Sequence, residues 1–279
     1  MSIAAADFDH VRTLVRQRSG IVLEPGKEYL VEARLLPLVR ETGLASLAAL
    51  VADVRRSPSG PLAGRVVEAM TTNETSWFRD SNPFTLLTSH LLPELLARGG
   101  TGRTLRIWSA ACSTGQEAYS IAMLMSDWLR LHPGWTVSIV GTDLSQEVVS
   151  RARAGRYSQL EVNRGLPAPQ LVRHFARAGT EWQVSDELRR MVEFRTLNLA
   201  VAFPAMPAFD IVFCRNVLIY FDTALRGAVL DRIVRTMRPD GALVLGGAET
   251  TVGLGTNLER VQPDRSAYYR PRAAERKIA

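Results

Sequence analysis

The chain reads as an α/β protein, a doubly wound parallel sheet preceded by a small all-α domain. Three observations predict this. Residues 7–70 repeat apolar positions at helical spacing, as in Phe8, Val11, Leu14 and Val15. From residue 105 onward, short β-rich runs alternate with helical stretches, the pattern of strands joined by crossover helices. Polar and charged residues gather in three segments, 71–80 (TTNETSWFRD), 107–120 (IWSAACSTGQEAYS) and 210–222 (DIVFCRNVLIYFD). All three fall where such a sheet holds its ligand, outside the carboxyl ends of the strands.

The elements follow in order. A first helix begins near Asp7, and Pro25 and Gly26 break the chain before a second over 27–40. Pro37 lies inside it, so a kink or an early end is expected there. Gly43 interrupts again, Ser46 starts a third helix, the run 57–61 (SPSGP) makes a turn, and a fourth helix spans 62–70. These four make an N-terminal domain over 1–70. Residues 71–98 form a linker segment and a helix over 83–97, followed by a loop with Gly99, Gly100 and Gly102. The α/β domain then occupies 99–272, with strands expected at 105–109, 137–141, 192–196, 209–214, 242–245 and 267–270 and helices such as 119–130 and 146–154. Between 157 and 190 the alternation loosens, and Trp182, Gln183 and Val184 suit a short antiparallel excursion in a small subdomain. The basic end from Arg270 to Lys277 (RPRAAERK), with 273–279 as its tail, reads as a solvated terminus.

Composition narrows the class. A chain of 279 residues with 46% hydrophobic and 22% charged residues is ordinary for a globular protein of two domains. No apolar run approaches the roughly 20 residues that cross a bilayer. The opening MSIAAADFDH carries acids where a signal peptide carries bases, so a cytoplasmic protein without membrane insertion is expected. Its two cysteines, Cys112 and Cys214, are not paired as C-x-x-C and are expected to be small buried packing residues. His10, His90, His132 and His174 are scattered, so no metal is expected. A net charge of +6 and a pI near 9.8 suit an acidic partner without choosing among nucleic acid, anionic lipid and protein.

The segments carry candidate chemistry. Residues 109–115 follow an apolar strand and precede a helix, so their amides can face a ligand at the helix N-terminus. Ala110, Ala111, Ser113 and Thr114 stand in for glycines, which should permit close approach without unusual dihedrals and suits a compact cofactor lying flat. No Gly-Lys-Ser/Thr follows, which excludes a P-loop; a tight turn without a ligand is the alternative. Asp143 ends an apolar strand and can accept from both hydroxyls of a ribose, implying adenosine, or it caps the helix that starts near Ser145. Trp77 and Phe78 read as packing residues that pin the linker. By physics alone, Glu117 is a favourable acid in a first helical turn, Arg79 a solvated helix-end charge and Tyr220 a core tyrosine. Arg215 and Asn216 sit at the exit of the buried strand 210–214.

Taken together, the three segments resemble the CheR family, the methyltransferases that esterify glutamates on bacterial chemoreceptors. The resemblance covers the chain apart from its ends. It implies a Rossmann-like methyltransferase sheet, with S-adenosylmethionine as cofactor and S-adenosylhomocysteine as product. It further implies cofactor contacts from Asn73, Thr75, Arg79, Glu117, Asp143, Asn198, Leu199, Arg215 and Asn216. Glu117 would meet the amino-acid portion, while Asn198 and Leu199 would flank the adenine. Arg79 would also stand near the acceptor carboxylate and Tyr220 beside the transferring methyl, which makes these two the catalytic candidates.

The implied partner is the cytoplasmic methylation region of a chemoreceptor. Lys27, Arg34 and Arg40 lie at helical spacing, a basic stripe that would dock this acidic region or else is solvated surface charge. Some members of the family dock a receptor tail peptide on the 157–190 subdomain. Here the stretch 176–186 (ARAGTEWQVSD) is shorter and poorer in glycine, which speaks against tail docking. A glutamate is already ionised at neutral pH, its reference pKa being about 4.3, so transfer of a sulfonium methyl needs no general base. That agrees with the lack of a nucleophile constellation. Two rivals remain at this level. One is a methyltransferase for another acceptor such as RNA, against which stand the absence of an Asn-Pro-Pro-Tyr motif and of aromatic residues interleaved with the stripe, so no nucleic acid is expected. The other is a noncatalytic receptor-binding signalling module, which the intact Arg79 and Tyr220 disfavour.

Overall fold

The structure is a computed structural model and describes residues 3–97, 103–263 and 266–272. The glycine loop read at 99–102 and the tail 273–279 lie outside the described residues. Four helices open the chain, α1 (Ala5–Ser19), α2 (Glu28–Thr42), α3 (Leu47–Arg56) and α4 (Pro61–Ala69). They close on a core that includes Phe8, Val15, Val31, Leu35, Leu50 and Val66, all buried. Local signals set their ends: the Ser46 hydroxyl accepts from Ala49 N at the start of α3, and Gly20 and Gly43 end α1 and α2 in the left-handed region, with φ 76° and 68°. Pro37 does not end α2, which continues to Thr42. The proline is exposed, and the carbonyl it deprives of a donor belongs to Ala33, also exposed and so accessible to solvent.

After the linker segment come α5 (Asn82–Leu86), one π turn (Leu87–Leu91) and α6 (Leu92–Ala97). The α/β body then runs β1 (Thr104–Ala110), α7 (Gln116–Leu131), β2 (Thr136–Asp143), α8 (Gln146–Ala154), β3 (Arg156–Ser158), α9 (Gln159–Asn163), α10 (Ala168–His174), β4 (Phe175–Ala178), β5 (Glu181–Val184), α11 (Asp186–Met191), β6 (Val192–Thr196), β7 (Phe209–Cys214), α12 (Thr223–Thr236), β8 (Met237–Leu245), β9 (Leu258–Val261) and β10 (Tyr268–Pro271). Among the described residues the main sheet has seven strands in the order β6-β2-β1-β7-β8-β10-β9. The chain winds outward from β1 through β2 to β6 and then returns to β7 on the other side, so the order reverses between β1 and β7. Their register pairs Ala110 with Cys214, which sets the loops leaving both strands side by side.

One strand departs from the expected parallel pattern. Strand β10 is antiparallel to β8 and to β9, and β9 has no counterpart in the sequence reading. Among the described residues no helix lies between β8 and β10, so the chain lacks the crossover that a parallel return to the edge of β8 requires. Strand β7 is buried along its whole length, with Ile211 and Phe213 facing one apolar layer and Phe209 and Val212 the other. Cys112 and Cys214 are buried free thiols. The excursion at 182–184 is β5, the middle of a three-stranded antiparallel sheet in the order β3-β5-β4. That small sheet grips the linker through Trp77, whose ring meets Tyr157 and Phe175 edge-on at 4.8 and 5.3 Å and whose indole N–H donates to Glu161 O. Among the described residues no single helix is long and apolar enough to cross a membrane.

Candidate functional site

The site forms where β1 and β7 end. After β1 the chain turns tightly, Cys112 N donating to Thr142 O and Gly115 N to Cys112 O. The turn does require unusual dihedrals: Ala111 and Ser113 have φ of 59° and 50°, contrary to the expectation from their small side chains. Each such residue costs about 1 kcal/mol, offset here by a buried acceptor. That acceptor is Asp143, the last residue of β2, whose Oδ2 takes the Ser113 amide at 2.8 Å and whose Oδ1 takes the Ser145 amide at 3.2 Å. Ser145, not Asp143, caps α8, its hydroxyl accepting from Val148 N. Burial raises the Asp143 carboxyl pKa, and the backbone amides of Ser113, Ser145 and Leu144 pull against that shift.

Glu117, in the first turn of α7, is buried and fully engaged. Its Oε1 accepts from the Ser109 hydroxyl at 2.7 Å and its Oε2 pairs with Arg215 Nη1 at 2.8 Å. Arg215, leaving β7 with 1% of its side chain exposed, turns Nη2 to the Asp80 carboxylate at 2.7 Å and to the Arg79 carbonyl at 2.8 Å. Its Nε is buried with no hydrogen-bond partner among the described residues. Arg215 thereby latches the linker 71–80 to the sheet. The next residue, Asn216, holds φ 59°, and the chain passes through a 3-10 turn, Leu218–Tyr220.

The linker crosses the site as a strap. Ser113 Oγ donates to Asn73 O at 2.7 Å, Phe78 N to Ser120 Oγ at 3.1 Å and Trp77 N to Arg164 O at 3.0 Å, so it is pinned at both walls. Phe78, Asp80 and Ser81 all have positive φ (48°, 68° and 49°), backbone strain concentrated around Arg79. The Arg79 guanidinium itself donates to Glu74 O at 3.1 Å and has no carboxylate within ion-pair distance among the described residues.

These walls enclose an open cleft of about 870 Å³, a figure that counts the space open to solvent. It is lined by Asn73, Thr75, Arg79, Glu117, Asp143, Asn198, Leu199, Arg215, Asn216 and Tyr220, so the structure brings together these ten residues singled out in the sequence. Ser19 and Ile21 of the helical domain complete it. Asn198 is committed to the protein, donating to Arg18 O at 2.7 Å and accepting from Ala200 N at 2.9 Å, which seats the helical domain against the sheet.

The residues of the stripe on α2 do not themselves line the cleft, but its central residue reaches two that do, Thr71 and Thr72. Lys27, at the N-cap, and Arg40 are exposed. Arg34 is half-buried, and its guanidinium holds Met70 O at 2.6 Å, Thr71 O at 3.0 Å and Thr72 Oγ1 at 2.8 Å. Helical spacing places it on the same helix, but the strap's carbonyls, invisible in that spacing, claim its donors. Sequence reading passed over Asp80, which sits beside a strap arginine, and Glu249, an acid just after the strand-end Gly246 and Gly247; position past a strand end was the available signal for Glu249.

The fold and its cleft are those of a Rossmann-like, S-adenosylmethionine-dependent methyltransferase. The model of the CheR methyltransferase SAM binding domain matches residues 73–266, and that of the CheR methyltransferase all-alpha domain matches residues 6–71. Chemotaxis protein methyltransferase 1 of Pseudomonas aeruginosa is 43% identical over 274 residues, covering 97% of this chain and 99% of that protein. Chemotaxis protein methyltransferase Cher2 of Pseudomonas putida is 42% identical, covering 94% and 96%. The chemotaxis protein methyltransferase of Escherichia coli is 36% identical, covering 89% and 86%. The chain belongs to the CheR methyltransferase family and is an enzyme that uses S-adenosylmethionine.

Proposed function

We propose that the protein methylates glutamate side chains in the cytoplasmic methylation region of chemoreceptors, forming glutamyl methyl esters in sensory adaptation. The observation that carries this reading is a cleft holding an arginine without a carboxylate partner among the described residues, whose carboxylates Glu117 and Asp143 are already engaged with Arg215 and with backbone amides. Among the described residues no histidine lines the cleft. The cysteine among them, Cys112, is buried, and burial pushes that thiol well above its ordinary pKa, which leaves it inert. An acceptor that arrives ionised suits such a site.

The residues present fit S-adenosylmethionine. Asp143 offers a buried carboxylate at the end of β2 for the ribose hydroxyls, Leu144, Leu197 and Leu199 offer an apolar surface for the adenine, and Glu117 with the unpartnered Arg215 Nε lies toward the amino-acid end. The cofactor supplies an electrophilic sulfonium methyl. Arg79 then orients the acceptor carboxylate through one oxygen, because a bidentate grip would favour the charged ground state over the neutralising transition state. Tyr220 is half-buried at the cleft, its hydroxyl free of hydrogen bonds to the described residues, and it steers the second oxygen. Water exclusion falls to the helical domain, which is drawn to this wall by Val22 N donating to Tyr220 O at 2.9 Å and by the Arg16–Asp222 pair at 2.7 Å. Lys27 and Arg40 flank the strap-bound Arg34 on α2 and give the receptor's acidic region a basic surface, so receptor affinity should fall with salt.

Incubation with methyl-labelled cofactor and receptor cytoplasmic fragments tests the reading. Label on the receptor that mild base releases is the expected result. Label that resists base, or label appearing on RNA in place of the receptor, overturns it, as does cofactor binding with no transfer.

A further inference from the structure

One carboxylate outside the cleft lining organises the loop that carries three of its residues, Asn216, Val217 and Tyr220. Glu249 follows β8, and its two oxygens accept four backbone N–H groups: Oε2 from Gly246 at 2.8 Å and Asn216 at 2.9 Å, Oε1 from Val217 at 2.9 Å and Leu218 at 2.7 Å. Three of these donors are consecutive residues leaving β7. They fall at the left-handed Asn216, φ 59°, and at the start of the 3-10 turn that ends in Tyr220. Such amides have no partner within their own turn, and a half-buried loop that leaves them unpaired loses its conformation. A carboxylate has enough lone pairs for all four, and charge strengthens each bond.

The arrangement also dictates residue 246. A Cβ there would stand 2.7 Å from Glu249 Oε2 and 3.0 Å from Asn216 N, so only glycine lets the acid reach the loop. The backbone of Gly246 is not in the left-handed region, and an alanine at this position would disturb the carboxylate without straining φ.

We infer that Glu249 is a positioning residue for methyl transfer, one that fixes the Asn216–Tyr220 turn so that Tyr220 faces the acceptor. It touches neither cofactor nor acceptor itself, and the inference rests on the proposed role of Tyr220. Glutamine is a severe replacement here, because it sets an amide NH2 against two N–H donors; aspartate keeps the charge and loses one methylene of reach.

The test compares Glu249→Gln, Glu249→Asp and Gly246→Ala with Tyr220→Phe and the double variant Glu249→Gln/Tyr220→Phe, reading turnover on receptor fragments and the melting temperature. Glu249→Gln and Gly246→Ala should each lower turnover by up to about tenfold, no more than Tyr220→Phe does, in protein that still folds, with Glu249→Asp between them and the wild type. In the Tyr220→Phe background, Glu249→Gln should cost less than about twofold further, since the two act through one group. Equal factors in both backgrounds overturn the inference, as does wild-type turnover in Glu249→Gln when Tyr220→Phe is impaired. Wild-type turnover in Tyr220→Phe alone sinks the reading of Tyr220 and the inference with it, a distinguishable result. Should Glu249→Gln fail to fold, Gly246→Ala takes its place under the same criteria.

Discussion

Arg79 on the strap and Arg215 at the exit of β7 face the same cleft and are spent in opposite ways. Arg215 is buried and bridges Glu117, Asp80 and the Arg79 carbonyl. Arg79 is half-exposed on strained backbone, and among the described residues its guanidinium donates only to the Glu74 carbonyl. A buried guanidinium paired to two carboxylates holds architecture, and its charge is already answered. An unanswered one on a pinned strap is available to an incoming anion. The first arginine also serves the second, because the bond from Arg215 to Arg79 O fixes the backbone from which Arg79 extends.

The largest effect that tests this contrast is on stability. Arg215→Ala strands the buried Glu117 carboxylate and should cost about 3–5 kcal/mol in denaturant unfolding, part of which Glu117→Gln restores in the double variant. Wild-type stability of Arg215→Ala would erase the distinction between the two arginines. Arg79→Ala should leave stability within about 0.5 kcal/mol and lower turnover about 10²-fold, while affinity for S-adenosylhomocysteine changes little. Equal losses in turnover and affinity would make Arg79 a cofactor residue. Tyr220→Phe removes a single hydroxyl and should lower turnover by up to about tenfold, and unchanged turnover would deny it a steering role.

Asp143 sharpens the contrast from the acidic side, being buried like Arg215 and open to the cleft like Arg79. Burial raises its pKa in the folded chain, so between the ordinary aspartate range and the raised value the native state binds more protons than the unfolded one. Stability of the free protein therefore falls as pH rises through that window, and Asp143→Asn should remove the slope. A ligand that donates hydrogen bonds to this carboxylate favours its charged form. Affinity for S-adenosylhomocysteine should then rise with pH over the same window, which calorimetry at several pH values would show. A flat profile would leave Asp143 as a brace for the Ser113 and Ser145 amides alone.

Much of this site is legible in the residues because a doubly wound sheet places its ligand at strand exits, and strand exits show as apolar runs ending in polar groups. Asp143, Arg215 and Asn216 are found that way, and the cleft gathers all three. Glu249 escaped because its partners are backbone amides of a turn that lies 31 to 33 residues away in the chain. The bonds of Arg34 to the strap are illegible for a related reason: spacing assigns a residue to a helix face, while the strap carbonyls that occupy its donors arrive only with folding. The left-handed Ala111 and Ser113 show the same limit, since their small side chains tolerate that conformation without announcing it, and the Asp143 carboxylate decides it.

By itself the sequence determined the layers, the helical domain ahead of an alternating sheet, since hydrophobic periodicity and breaker residues are local properties of the chain. It also determined which functional groups stand at the ends of the strands. Tertiary structure alone decided which of those groups are consumed by one another and which remain free to meet a ligand. That outcome depends on distances across the cleft between segments far apart in the chain, where desolvation makes a buried charge find a partner and spares the one that stays exposed.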